Sequence, residues 1–222
     1  MTTMTQIKKV IKPILEKHND LAFQGGIVVL KPVHHLVRGI ILDRTSDATR
    51  FSLRWGVIHS FRSSPVFSTG FGAELFPRMR WSWNNPNLSN DLIRALETEA
   101  LPRLRNIQSL NDYVELARQN ILHGWDQQYL RKMPVDIAMG DFDAARAICR
   151  DVISRYTPET FPGDAEDKAH FADLKKLCAM LASDDRKGMA AMLHGFEAET
   201  VKNLKLEHVW EPTPFPFELE AR

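Results

Sequence analysis

Counting by twos from Phe51 gives Phe51, Leu53, Trp55, Val57, His59 and Phe61, with Arg50, Ser52, Arg54, Gly56, Ile58, Ser60 and Arg62 between them. Alternate residues of a strand point to opposite faces, so the stretch predicts one strand with an apolar face and an arginine-bearing face. His59 falls on the apolar side near the strand's end. A neutral imidazole needs only a donor and an acceptor there, so a single hydrogen bond at the rim of the core is expected.

Upstream, Ile7, Val10, Ile11 and Ile14 form the stripe of an amphipathic helix, and Pro13 inside it is expected to kink that helix by removing a backbone bond. Asn19–Asp20 and Gly25–Gly26 mark its exit and a turn. "GIVVLK" and "HLVRGIILD" read as two further strands, and a weaker one falls within "GFGAELFPRMRWSW". The connections are short, which requires antiparallel pairing.

From Ser89 onward the period is helical. Leu92, Ile93, Leu96 and Ala100 share one stripe, and Ser109 reads as the N-cap of a helix burying Leu110, Tyr113, Val114 and Ala117. Asp141 is placed to cap a helix with Phe142, Ala145, Cys149, Val152 and Tyr156 on one face. A later helix carries Phe171, Leu174, Cys178 and Leu181, and Ser183–Asp184 open a last one. "EPTPFPFELEAR" is too rich in proline for a helix and is expected to run extended. The reading is an α+β fold: a kinked N-terminal helix on a three- or four-stranded antiparallel sheet, then an all-α part built of helical hairpins. The boundary is placed so that residues 1–118 form the sheet domain and 119–222 the helical subdomain with its tail. Gly140, Phe142 and Ala145 resemble the second helix of a tetratricopeptide repeat, although two such units are too few for a solenoid.

Composition adds little to this picture. Hydrophobic residues make up 44% and charged residues 26% of 222, ordinary values for a globular chain with its own core. No apolar run approaches a membrane span, and the first residues lack the compact apolar centre of a secretory signal. Cys149 and Cys178 both sit in apolar helix stripes and read as buried free thiols of a cytoplasmic protein. Charge is divided: residues 1–110 carry 15 Lys and Arg against 8 Asp and Glu, and residues 111–222 carry 14 against 20, leaving the total at +1. Such a division suits either an anionic partner for the first half or two halves that face each other.

Motifs exclude more than they assign. The eight histidines form no metal-binding pair of the H-x-x-x-H type. Asp167 with His170, and His194 with Glu197, are lone pairs three residues apart, short of a ligand set. His34 and His35 point to opposite faces of a strand junction. Gly70 and Gly72 lack the third glycine and the βαβ setting of a dinucleotide cradle. There is no G-x-S-x-G nucleophile elbow and no P-loop. No catalytic residue, metal or cofactor is assigned.

The polar pattern is more suggestive. Arg50, Arg54 and Arg62 share one strand face, and "RMRWSWNN" adds Arg78, Arg80, Trp81 and Trp83. Were these to converge, arginine and tryptophan would make an interface of the kind enriched in binding hot spots. The plainer reading is a solvated sheet face with the tryptophans in the core.

The order of "KPILEKH", "LAF", "RFSLRWGV", "RWSW" and "ALPRLRNIQSLNDYV" resembles a bacterial family known only as a domain of unknown function, over residues 5–118. The resemblance implies a fold and no catalytic residues. The leading expectation is a non-enzymatic, immunity-like interaction protein of the cytoplasm, whose partner is another protein rather than a membrane or nucleic acid. The alternatives are a small-ligand or hydrolytic site between sheet and helices, lined by His59, Trp55 and Trp83, and a nucleic-acid-binding surface.

Overall fold

The computed structural model describes residues 3–62, 71–75, 81–120 and 125–220. Helix α1 (Met4–Lys17) starts on a capping box in which Thr3 and Gln6 satisfy each other's backbone amides. It buries Ile7, Val10, Ile11 and Ile14 and continues past Pro13, which lies on its exposed side. Five strands follow as a meander: β1 (Leu21–Gln24), β2 (Ile27–Leu30), β3 (Leu36–Arg44), β4 (Phe51–His59) and β5 (Phe71–Glu74), each antiparallel to its neighbour. The α+β class stands, and the sheet has five strands among the described residues rather than three or four. The missed strand, β1, is too short to show a period. It pairs with β2 across Gly25–Gly26, whose φ angles of 59° and 93° are those of a tight hairpin turn.

The period of two read in β4 is the sheet's organising fact. Phe51, Leu53, Trp55 and Val57 face a large core shared with Ile40 and Leu42 of β3. Helix α3 (Leu101–Asn106) packs on β4, and α4 (Leu110–Asn120) packs on β5. Helices α2 (Leu88–Ala95) and α3 are joined by a π-helical turn, Leu96–Ala100, which ends one residue short of Pro102, a residue that cannot donate in an α ladder. Ser109 caps α4 as expected, with its hydroxyl accepting from the Asp112 amide. In the centre of the sheet Gly56 stands opposite both Gly39 and Gly72. A Cβ on Gly72 would come within 2.6 Å of the Gly56 Cα, so this close approach of β4 and β5 requires glycine.

The helical part completes the same core. Helices α5 (Tyr129–Met139), α6 (Phe142–Asp151) and α7 (Ala165–Ala182) bury Met133, Ile148 and Phe171, and the cluster runs on to Phe217. Asp141 caps α6 as predicted, whereas Asp185 rather than Ser183 or Asp184 caps α8 (Arg186–Leu204). The end of α8 turns under the second face of the sheet. There Val201, Leu206 and Val209 cover Val29, Val37 and Ile58. The proline-rich tail is extended only in part, because Pro216–Leu219 close a short helix, α9.

Cys149 and Cys178 correct another expectation. They form a disulfide between α6 and α7, with a Cα–Cα distance of 5.8 Å, rather than two free thiols. Facing apolar stripes on packed helices brought the sulfurs together.

Candidate anion-binding site

Two polar centres lie where β4 leaves the sheet, and they are built differently. The first surrounds Glu197 of α8, whose side chain is 1% exposed. Its Oε1 lies 2.9 Å from His35 Nδ1 and accepts from the Ser60 hydroxyl at 3.0 Å, and its Oε2 lies 3.0 Å from His194 Nδ1. The other nitrogen of His194 meets Glu218 Oε2 at 2.9 Å, and that oxygen also accepts from the Phe215 amide. The Phe215 ring is stacked between the two imidazoles, with centroids 4.3 Å from His35 and 4.5 Å from His194. Burying a carboxylate is costly unless its oxygens are hydrogen-bonded, and here both are.

Serine, histidine and glutamate together suggest nucleophilic catalysis, but the connectivity is wrong for it. A nucleophilic hydroxyl hands its proton to an imidazole. The Ser60 hydroxyl instead reaches Glu197 and the carbonyls of His34 and His35, and Ser60 is fully buried. This centre is a structural hub.

The second centre is open. Arg62 and Arg131 line one cavity of about 250 Å³ together with Gln128, Tyr129, Phe161 and Asp167. Arg62 is held by His170 of α7, to whose Nδ1 its Nε and Nη2 donate at 3.1 and 2.7 Å. Its carboxylate neighbour Glu166 is half exposed and 4.0 Å away. Burial lowers the Arg62 pKa, and Arg131 adds to that, so the two cations feel each other across the cleft. Arg131 lies over the Phe71 ring, 5.6 Å from its centroid, and forms no ion pair among the described residues. Helix α5 also begins here, and its cap residue Gln128 makes no side-chain hydrogen bond to the first turn. The positive end of the helix dipole therefore adds to the two guanidiniums.

Behind the cleft is an aromatic nest. His59 packs 4.6 Å from Phe61 and edge-on to Tyr113. Burial, then Arg62, Arg131 and His170, push its pKa well below 6.5. Its Nδ1 is buried without a hydrogen bond among the described residues, so that nitrogen does not supply the bond expected at the rim of the core. The Tyr113 hydroxyl is driven the other way, its pKa raised by burial.

The expected site residues separate. Arg54 lies within β4, whereas Arg62 lies three residues past the strand's end at His59, beyond bends at Ser60 and Phe61, so the two do not belong to one strand face. Ile58 and Ser60 between them are buried. Arg54 is exposed opposite Glu74, and Arg50 pairs with Asp47 at 3.4 Å. Trp81 is fully buried, its indole N–H donating to the Leu75 carbonyl, which removes it from any interface. Trp83 packs on Phe51 at 4.7 Å. Trp55 borders a separate groove of about 500 Å³ with Arg103 and Glu115, and among the described residues none of the cavities is lined by His59, Trp55 and Trp83 together. Arg78, Arg80 and Gly70 lie outside the described residues.

Of the predicted residues that the structure describes, Arg62 alone lines the cleft. Arg131 and His170 were missed as its partners because they join it across 69 and 108 positions of chain, which no periodicity reports. The pairing of His194 with Glu197 was visible as an i, i+3 spacing, but His35 and Ser60 were not. Among the described residues no group of three His, Cys, Asp or Glu is placed to hold a metal ion, and no helix is long and apolar enough to cross a membrane. The chain has no significant match to a family model, a curated protein or a solved structure.

Proposed function

We propose that this is a non-catalytic interaction protein that takes an anionic group of a protein partner into the Arg62–Arg131 cleft. One observation carries the reading: two guanidiniums line a single cavity, and the nearer ion-pair partner of Arg62 is 4.0 Å away and half exposed. Two guanidiniums against one lining carboxylate and one half-exposed neighbour are only partly compensated, and a binding site holds such donors ready for a charge that arrives with the ligand. The cavity is smaller than the roughly 300–1,000 Å³ of pockets that enclose drug-sized ligands, which suits one inserted group rather than a whole small molecule.

An immunity-like role fits a cleft of this kind. The nucleic-acid alternative is weaker, because the arginines of β4 are spread out rather than gathered into a patch. Cytoplasmic residence belongs to this reading only where the Cys149–Cys178 bond is exchanged with cellular thiols, since a reducing compartment holds such pairs as dithiols. The test is affinity capture from native lysate with the wild type and with Arg131→Gln. A partner recovered by the first, lost by the second and released by salt supports the proposal. Identical recoveries, or chaperones and ribosomal proteins alone, overturn it.

A further inference from the structure

We infer that the group taken by the Arg62–Arg131 cleft is a carboxylate, a single-charged and planar anion, rather than a phosphate. The inference rests on the anion-binding reading above and narrows it.

Charge is the first argument. The residues that line the cavity carry two guanidiniums and one carboxylate, Asp167, and Glu166 at the edge is 4.0 Å from Arg62 but half exposed and screened by solvent, so a ligand has at most one positive charge to neutralise. A phosphate monoester, at close to two negative charges, would leave an excess beside Asp167 and Glu166. Like charges at such range raise the cost of binding.

Shape is the second argument. A guanidinium is planar, and its parallel N–H bonds match the two oxygens of a carboxylate. His170 occupies the edge of Arg62 formed by Nε and Nη2 and fixes the plane of the group, while Nη1 makes no hydrogen bond among the described residues. The Phe71 ring supports Arg131 in the same way from beneath. Two oriented donors are thereby presented before the ligand arrives, which lowers the entropy cost of binding.

The walls supply the third argument. Tyr129 and Phe161 line the cavity beside the arginines, so the stem that carries the carboxylate meets aromatic surface. That combination fits either a small free acid with an apolar body or a carboxylate presented by a peptide.

The experiment titrates four probes into the folded wild type and follows backbone amide signals by NMR: sodium benzoate, inorganic phosphate, an acidic peptide amidated at its C-terminus, and the same peptide with a free C-terminus. Saturable binding of benzoate alone supports the free-acid source. Binding of either peptide supports the partner source, and the difference between the two peptides separates side chain from chain end. In each case Arg131→Gln weakens binding at least about tenfold. Arg131→Lys weakens it too, because the charge is kept and the fork is lost. Both variants leave the spectrum otherwise dispersed, and this excludes unfolding as the cause. Phosphate binding more tightly than every carboxylate, still dependent on Arg131, overturns the carboxylate and leaves the anionic cleft standing. Carboxylate binding that ignores both substitutions overturns the site itself, as does no saturable binding by any of the four.

Discussion

The Glu197 hub and the Arg62–Arg131 cleft begin within two residues of each other on the chain, at Ser60 and Arg62, and they handle charge in opposite ways. At the hub each carboxylate oxygen has a partner at about hydrogen-bond distance, and Phe215 closes it from solvent. At the cleft the cations outnumber the lining carboxylate, and the donors face a cavity. The lesson is that buried polar chemistry marks function only where its hydrogen-bonding capacity is unfilled. Residue types alone would have chosen the hub, with its serine, histidines and glutamates.

Breaking the hub is expected to give the largest effect. Glu197→Ala removes the acceptor shared by two imidazoles and a buried hydroxyl, and each buried polar group left unsatisfied costs about 1–3 kcal/mol. Urea unfolding measures it. A loss below about 1 kcal/mol would show that the hub is not what secures α8 to the sheet.

Next comes the clasp between α6 and α7. Cys178→Ser opens a loop closed over 29 residues, worth about 3.5 kcal/mol on chain entropy. Because α7 carries Asp167 and His170, thermal melts in the presence and absence of benzoate should show the cleft weakened together with stability.

His59 separates the two regions by pH. Its folded pKa lies well below 6.5 because it is buried beside Arg62 and Arg131. Below that value the unfolded chain binds a proton that the folded chain refuses, so stability falls as pH drops. The slope approaches about 1.4 kcal/mol per pH unit for one proton, and above pH 6.5 the effect vanishes. His59→Phe abolishes this component and is neutral or stabilising at pH 7, because it also removes an unpaired nitrogen from the nest. Melting temperatures of both proteins from pH 7.5 down to 5 (roughly the range where an imidazole titrates) check the difference. Parallel curves would refute the assignment.

The smallest effect belongs to the cleft. Arg131→Gln changes stability by no more than about 0.5 kcal/mol, in keeping with a group that makes no ion pair in the fold. A large loss in the same urea experiment would move Arg131 from recognition to structure.

Much of the frame was legible because it is local. The alternation of residues 51 to 61 sorted Leu53 and Trp55 from Arg54, and the stripes of α1 and α4 named their buried faces, whereas α6 ends at Asp151 and buries Ile148 with only Ala145 of its expected stripe. Four-residue β1 escaped, since so short a segment carries no usable period. Trp81 reads in the sequence both as an interface residue and, more plainly, as core; its indole N–H found a backbone acceptor, so the ring is buried whole. The site was legible only in Arg62. What joins Arg62 to Arg131, His35 to Glu197 and Cys149 to Cys178 is the packing of distant helices, and no pattern along one stretch encodes that.

The route of the tail has a consequence for how the chain is made. His34 and His35 follow β2 closely, yet they bond to the Glu211 carbonyl, to Glu197 and to the Pro214 carbonyl, and Val33 bridges to Trp210. On the ribosome the hairpins of the sheet can pair as they emerge, but one face, with Val29, Val37 and Ile58, stays bare until residues near 201 to 209 are synthesised. The nascent chain thus carries an uncovered apolar sheet through most of its elongation, a form that chaperones recognise. Its closing event is the arrival of Phe215 between two imidazoles that were translated about 180 and about 20 residues before it.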